Sequence, residues 1–364
     1  MRHPQLSRLT IIIPTYNRQA YAFRSMMYWS GIGPTVHVLD GSACPIDLDV
    51  LSDIGANVHY HHLPIGFVER LGCSQKLIAT DYAALLSDDE FFLPDALNKC
   101  INVLDTEPDM VSCGGRCLQF SLNGTALMGW PVYTSQDGYF VASNDACERM
   151  VYHMNPYTPS TIYSVVKCEV WKKAVEILGH KEFPVYAIGE LQFELAVSFL
   201  GKSKVLQNLM WMRSDENAQL AGTSISLDPN KRIWHWWRDS HTLNQRNEFL
   251  DIMSKGLAPS PAEVSVVRDG VSRAIDAYVN AYGGEATNSI KEFIKAFKQR
   301  IPPQIKQVIK KVLCRNQNLS AQLNATPLMD AAKAMAASGA AVNLQDLKNI
   351  ERIVADFHKN RVVN

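Results

Sequence analysis

A short apolar run, Tyr82-Ala-Ala-Leu-Leu86, stops at Ser87-Asp88-Asp89-Glu90. Five residues suit a buried strand and are too few for a helix. Three adjacent acids at its end are costly, because like charges repel and desolvation penalises each of them. A divalent cation or a cationic ligand relieves that cost. Pro94 then suits the first turn of a helix, and Ala96, Leu97, Cys100, Ile101 and Leu104 recur at helical spacing. The acids therefore lie between a strand end and a helix start. In open α/β sheets that carboxyl edge is where ligands bind.

The chain before this point supplies the rest of such a sheet. Leu9-Thr-Ile-Ile-Ile-Pro14 is a β-branched run without alternation, as expected of a strand buried on both faces. It opens into Thr15-Tyr16-Asn17-Arg18, and a helix is expected from about Ala20 to Trp29. Thr35–Leu39 is a second strand and breaks at Asp40-Gly41-Ser42. Asn57–Tyr60 is a third, and Phe67–Ala79 a helix. This β-α-β order with crossovers predicts a parallel sheet with right-handed connections.

Beyond the acids the pattern predicts strands at Met110–Cys113 and Arg116–Ser121, with a turn at Asn123-Gly124. Helices are expected over Cys147–His153, Ser164–Leu178 and Glu190–Leu200, and a strand over Val205–Trp211. From about Asp228 only helices are expected, and the indoles of Trp234, Trp236 and Trp237 suit a helical core better than a sugar-stacking surface. Residues 288–315 carry Ile290, Phe293, Ile294 and Phe297, then Ile305, Val308, Ile309 and Val312, among eight lysines and arginines such as Lys291 and Lys310. Two ordinary packed helices are the first reading; a basic amphipathic hairpin lying on an anionic membrane face is the other. Residues 316–364 hold helices near Met329–Ala337 and Leu344–His358, a cap or an oligomerisation element.

Composition narrows the classes. The 364 residues are 47% hydrophobic and 20% charged, with equal numbers of acids and bases, so nothing pulls the chain toward nucleic acid. The eight cysteines lack zinc spacing and suit reduced core positions, which points to the cytoplasm. No signal peptide is recognisable, and no apolar run reaches membrane-spanning length. There is no G-x-G-x-x-G after the first strand, no P-loop and no G-x-S-x-G elbow. His59, His61 and His62 are expected to be strand-end residues rather than metal ligands.

What remains is a set of polar strand ends on one edge. In order they are Ile13-Pro-Thr-Tyr-Asn-Arg18, Asp40-Gly41-Ser42, and Ser87-Asp88-Asp89-Glu90 followed by Pro94-Asp-Ala-Leu97. In these three motifs the chain resembles the inverting GT-A glycosyltransferases of family 2, over roughly residues 8–105. The resemblance implies a GT-A α/β fold, Rossmann-like with a mostly parallel sheet. It implies a nucleotide-sugar-binding and catalytic domain over residues 1–225, a helical extension over 226–315 and a helical tail over 316–364.

The resemblance also implies roles. Mg²⁺ or Mn²⁺ would bridge a donor pyrophosphate to Asp89, with Asp88 on the ribose; in the alternative register Glu90 holds the metal. Asp40 would hold the base edge, Thr15 or Tyr16 would flank the base, and Arg18 and Arg70 would meet the nucleotide or its phosphates, with Lys76 as substitute for Arg70. Glu190, aligned on Phe193, Leu195 and Gly201, matches the family's catalytic base, with Glu194 as rival. Arg213, in Trp211–Asn217, matches a loop that closes on the pyrophosphate. The expected activity is metal-dependent, inverting transfer from a nucleotide sugar, UDP-sugar favoured, to a hydroxyl of a saccharide or lipid-linked acceptor. The setting expected is cytoplasmic or peripheral on the inner membrane face, in surface polysaccharide or glycolipid synthesis. The alternatives are a sugar-nucleotide nucleotidyltransferase and a non-catalytic nucleotide-sugar or glycan-binding relative.

Overall fold

A computed structural model describes residues 3–216, 232–282 and 325–362. Its elements run in chain order β1 (Leu9–Thr15), α1 (Gln19–Trp29), β2 (Thr35–Asp40), β3 (Val58–His62), α2 (Phe67–Leu77), β4 (Tyr82–Leu85), β5 (Phe91–Phe92) and α3 (Pro94–Thr106). They continue with β6 (Met110–Asn123), β7 (Ala126–Val132), β8 (Phe140–Val141), α4 (Ala146–His153), β9 (Val165–Lys167), α5 (Cys168–Leu178), α6 (Ala187–Leu200) and β10 (Lys202–Ser214). The C-terminal part holds α7 (Ile233–Arg238), α8 (Leu243–Leu257), α9 (Val264–Tyr282), β11 (Thr326–Pro327), α10 (Leu328–Ala337) and α11 (Leu344–Val362).

The fold is a mixed α/β sheet flanked by helices. Its order is β11-β7-β6-β9-β4-β1-β2-β3, with β10 paired to β5, β6 and β8. β3, β2, β1 and β4 are all parallel, as their crossover helices require. Beyond β4 the sheet changes character: β9 is antiparallel to both β4 and β6, and β6–β7 is a hairpin turned at Gly124, whose φ of +62° suits glycine.

The strands alternate between two cores. On β1, Leu9, Ile11 and Ile13 enter one cluster with α1, α3, α10 and α11, while Ile12 enters another with α2, α4–α6 and α7–α9. Each fully buried aliphatic contributes about 1.5–3 kcal/mol. Residues 325–362 are thus built into the first core, with Leu347, Ile350 and Val354 wholly buried. The basic segment 288–315 lies outside the described residues.

Several expectations change. Arg213, expected in a loop, lies in β10, which runs on to Ser214, and a short strand, β11, stands in the part where only helices were expected. The two strands expected at 110–121 are one fourteen-residue strand. The helix expected from Ser164 begins at Cys168, because Val165–Lys167 pair as a strand with β4 and β6, and tertiary pairing overrides a continuous apolar pattern. Helix α6 starts at Ala187, so Glu190 falls inside its first turn rather than at its head. That helix is buried all round from Leu191 to Phe199, and Gly201 ends it where a Cβ would lie 2.2 Å from Val111. The seven described cysteines are free, and no described helix is long and apolar enough to cross a membrane.

Candidate active site

Parallel register brings the polar strand ends together. Thr15 pairs with Asp40 across β1 and β2, and Ile12 pairs with Leu85 across β1 and β4. The chain leaving β4 therefore crosses the end of β1. There Thr15 Oγ1 donates to Asp88 Oδ2 at 2.6 Å. The turn after β1 is shaped by Asn17, in the left-handed region at φ +55°, whose N–H donates to Ser42 Oγ at 2.8 Å. Arg18 then reaches over both aspartates, 3.3 Å from Asp88 and 2.6 Å from Asp89.

The acids differ in environment. Asp88, Asp89 and Glu90 are all buried. Burial pushes the Asp88 carboxyl up to about 7, against the pull of Arg18 and Thr15. Glu90 accepts from Trp211 Nε1 at 2.8 Å, because β5 pairs antiparallel with β10 and sets Phe92 opposite Trp211. Burial and Asp89 push its carboxyl up to about 8. Arg24 fixes the backbone between them by donating to the Asp89 carbonyl at 2.9 Å, and it is itself paired with Glu216 and covered by Phe357 of α11.

Among the described residues, no three His, Cys, Asp or Glu side chains are grouped to hold a metal ion by themselves. Asp88 and Asp89 fit an ion held by one or two carboxylates and completed by substrate phosphate oxygens, the usual Mg²⁺ arrangement. Glu90 fits that arrangement less well than the alternative register required, because one of its carboxylate oxygens accepts from the Trp211 indole.

Asp40 sits at the end of β2, facing Thr15. It is wholly buried. Its carboxylate accepts from Ser42 N–H at 2.8 Å, Gln19 Nε2 at 2.8 Å and Tyr60 OH at 2.7 Å. Burial raises its pKa, but these donors outweigh burial and leave it below the ordinary value. Enclosed in this way, Asp40 fixes Gln19 and Tyr60. Both are half-buried, and Tyr16 beside them is exposed. Arg70 is buried against Gly41, where a Cβ would lie 1.5 Å from Nη1, and it donates to the Ile65 carbonyl at 2.8 Å. Lys76, its expected substitute, is exposed in the last turn of α2.

Across the sheet, Glu190 is half-buried and accepts from Tyr157 OH. Burial pushes its carboxyl up to about 7, so position in a helix's first turn does not leave it a weak base. Glu194 is wholly buried and fully engaged. It lies 2.8 Å from His153 Nε2, and Thr161 and Ile162 donate their N–H groups to it, each at 3.2 Å. That removes it as rival base. Arg213 links the two acidic regions: its charge draws down the carboxyls of both Glu90 and Glu190. Tyr163 and Tyr133 stack on Trp211 at 4.2 and 5.6 Å, and Arg213 donates to Gln119 at 2.7 Å.

Sequence reasoning missed Gln19, Tyr60, Tyr157 and Trp211. Gln19 follows Arg18 directly and was within reach of a motif reading; Tyr157, in the loop Asn155–Ser160, carried no local signal. The tryptophans behave as expected: Trp236 and Trp237 are buried, donating to Gln245 and Asp276. His59 and His61 stack on or bond to His37, off this site.

No family model matches the chain, and no curated protein matches it in sequence. Solved structures similar to it include TarS 1-349 of S. aureus, 13% identical over 77% of this chain and 92% of that one, at a TM-score of 0.42. The same protein in complex with UDP-GlcNAc is 12% identical with the same coverage, at a TM-score of 0.44. In complex with UDP it is 12% identical, at 0.42.

Proposed function

We propose that the protein is a glycosyltransferase that moves a sugar from a nucleoside diphosphate sugar, a UDP-sugar by preference, to a hydroxyl acceptor with inversion. The observation that carries the reading is the meeting of two groups. Thr15, Arg18, Asp88 and Asp89 gather at one sheet edge. Glu190, with a carboxyl near 7, feels the same Arg213 charge that acts on Glu90 beside them.

In this reading Gln19, Tyr60 and Tyr16 border the base, and Asp88 takes the ribose. Asp89 with Asp88 would hold Mg²⁺ or Mn²⁺, which supplies charge neutralisation to the diphosphate when bound. Arg18 and Arg213 add fixed positive charge beside the leaving group. Glu190 accepts the acceptor's hydroxyl proton as that oxygen bonds to the anomeric carbon. The carbon–oxygen bond to the β-phosphate breaks on the opposite face, and the nucleoside diphosphate leaves with that electron pair. A carboxyl near 7 suits this task at neutral pH, where proton affinity and ionised fraction are both adequate.

The acceptor is a saccharide or a lipid-linked hydroxyl, and residues 288–315 make a peripheral membrane contact. Flotation of the full chain with anionic liposomes, lost on deleting 288–315, tests that contact.

Thermal-shift screening of nucleoside diphosphates with and without Mn²⁺ tests the donor site; one nucleotide should raise the midpoint in a metal-dependent way. In a UDP-sugar hydrolysis or transfer assay, chelation, Asp89→Ala and Glu190→Gln should each lower turnover at least 10²-fold. Full activity of Glu190→Gln would remove the base, and full activity under chelation would remove the metal.

A further inference from the structure

Glu190 is reached by a side chain that no motif announces. Tyr157 OH donates to Glu190 Oε1 and lies 3.3 Å from Glu194 Oε1. Glu194 is an immobile neighbour, held by His153, Thr161 and Ile162. The Tyr157 ring is gripped edge-on from two sides, by His153 at 5.7 Å and by Tyr278 at 5.6 Å. Its backbone is gripped as well, because Tyr282 OH donates to the Tyr157 carbonyl. Tyr278 and Tyr282 both belong to α9, in the helical C-terminal part, and they pack on one another at 5.0 Å.

We propose that Tyr157 is the positioning residue of the Glu190 carboxylate, and that α9 belongs to the active site because Tyr278 and Tyr282 hold Tyr157 in place. The proposal rests on Glu190 being the base. One phenolic proton engages Oε1, so Oε2 is the oxygen that takes the acceptor's proton. A donor to the charged form also keeps Glu190 ionised to lower pH than burial alone allows. The other groups acting on Glu190 are Glu194 on its own helix, which disfavours charge, and Arg213 on β10, which favours it. Tyr186 of the same helix start, Tyr133, Tyr163 and Tyr278 also face it.

The test uses the full chain with Tyr157→Phe, Tyr282→Phe and Glu190→Gln. Phenylalanine preserves the ring contacts and removes only the hydroxyl. Two readouts are needed: the pH profile of UDP-sugar turnover, and the carboxyl ¹³C NMR titration of Glu190 without substrate, assigned by its loss in Glu190→Gln. Tyr157→Phe should move the Glu190 midpoint and the acidic limb up by about one pH unit, since a hydrogen bond to a charged group is worth about that much. Turnover would fall about tenfold at pH 6.5 and recover toward pH 9. Tyr282→Phe should shift both in the same direction and by less.

An unshifted Glu190 titration in Tyr157→Phe would overturn the proposal, as would a fall in turnover that is uniform across pH. Undiminished turnover in Glu190→Gln overturns instead the reading of Glu190 as base, and the titration then still decides whether Tyr157 governs its protonation.

Discussion

Thr15 Oγ1 lies 2.6 Å from Asp88 Oδ2, although 73 positions separate the two residues in the chain. The bond joins the ends of β1 and β4 where they meet at the carboxyl edge. It also sets a balance in Asp88: Thr15 and Arg18 favour the charged carboxylate, and burial opposes it. With a midpoint near 7, the balance can be moved by a single donor.

Thr15→Val removes that donor while keeping the side chain's shape. Asp88 should then hold its proton to higher pH, and a protonated Asp88 is a poorer partner for a ribose hydroxyl and for Arg18. Nucleoside diphosphate affinity, measured by calorimetry, should weaken about three- to tenfold at pH 7, the scale of one hydrogen bond to a charged group. The deficit should shrink at pH 8.5. Equal affinity at both pH values would refute the coupling.

Glu90 carries a stability signature. Its folded pKa is raised from 4.5 to about 8. A raised carboxyl lends its stability fully below the unfolded value and loses it as pH climbs through the folded one. Glu90→Gln keeps an oxygen for the Trp211 indole and does not titrate. Between pH 5 and pH 8.5, with chelator present, wild-type Tm should therefore fall relative to the variant by several °C, at about 2–4 °C per kcal/mol. Parallel curves would show that Glu90 does not titrate in this range.

Gly41 is fixed by space rather than by φ. A Cβ there would lie 1.5 Å from Arg70 Nη1. Gly41→Ala must push the buried guanidinium from its seat on Ile65 O and away from Asp40. Overpacking of this kind costs about 1–3 kcal/mol. Urea denaturation should register that loss, and nucleotide affinity should fall with it; an unchanged transition would mean that Arg70 moves freely.

The C-terminal helix is core, not appendage. Ile350 is wholly buried against the cluster that includes β1 and α3. Ile350→Ala should cost about 2–5 kcal/mol in denaturant unfolding, the range for deleting a buried aliphatic side chain. A cost below about 0.5 kcal/mol, typical of a surface position, would mark α11 as dispensable.

The parallel half of the fold was legible because its signals are local. Ile11-Ile12-Ile13 is β-branched without polar alternation, which suits a strand covered on both faces, and it is buried so. The break of each strand into Thr15, Asp40 or Asp88 placed the polar groups on one edge once the strands were parallel. Val165–Lys167 was not legible, since it pairs with residues of β4 and β6 that lie 52 or more positions upstream.

The sequence by itself determined that three acids close an apolar strand and that a carboxylate lies near the start of a later helix. Which partner each acid takes was decided only in three dimensions. β5 pairs with β10, and that pairing gives Glu90 to Trp211 and leaves Asp88 and Asp89 to Arg18. The same holds for Asp40, enclosed by Gln19 from α1 and Tyr60 from β3, and for Glu190, whose partner Tyr157 stands 33 positions away and is steadied by α9. Hydrophobic period and charge are properties of neighbouring residues, whereas hydrogen-bond partners and burial are set by which distant segments the packed core brings together.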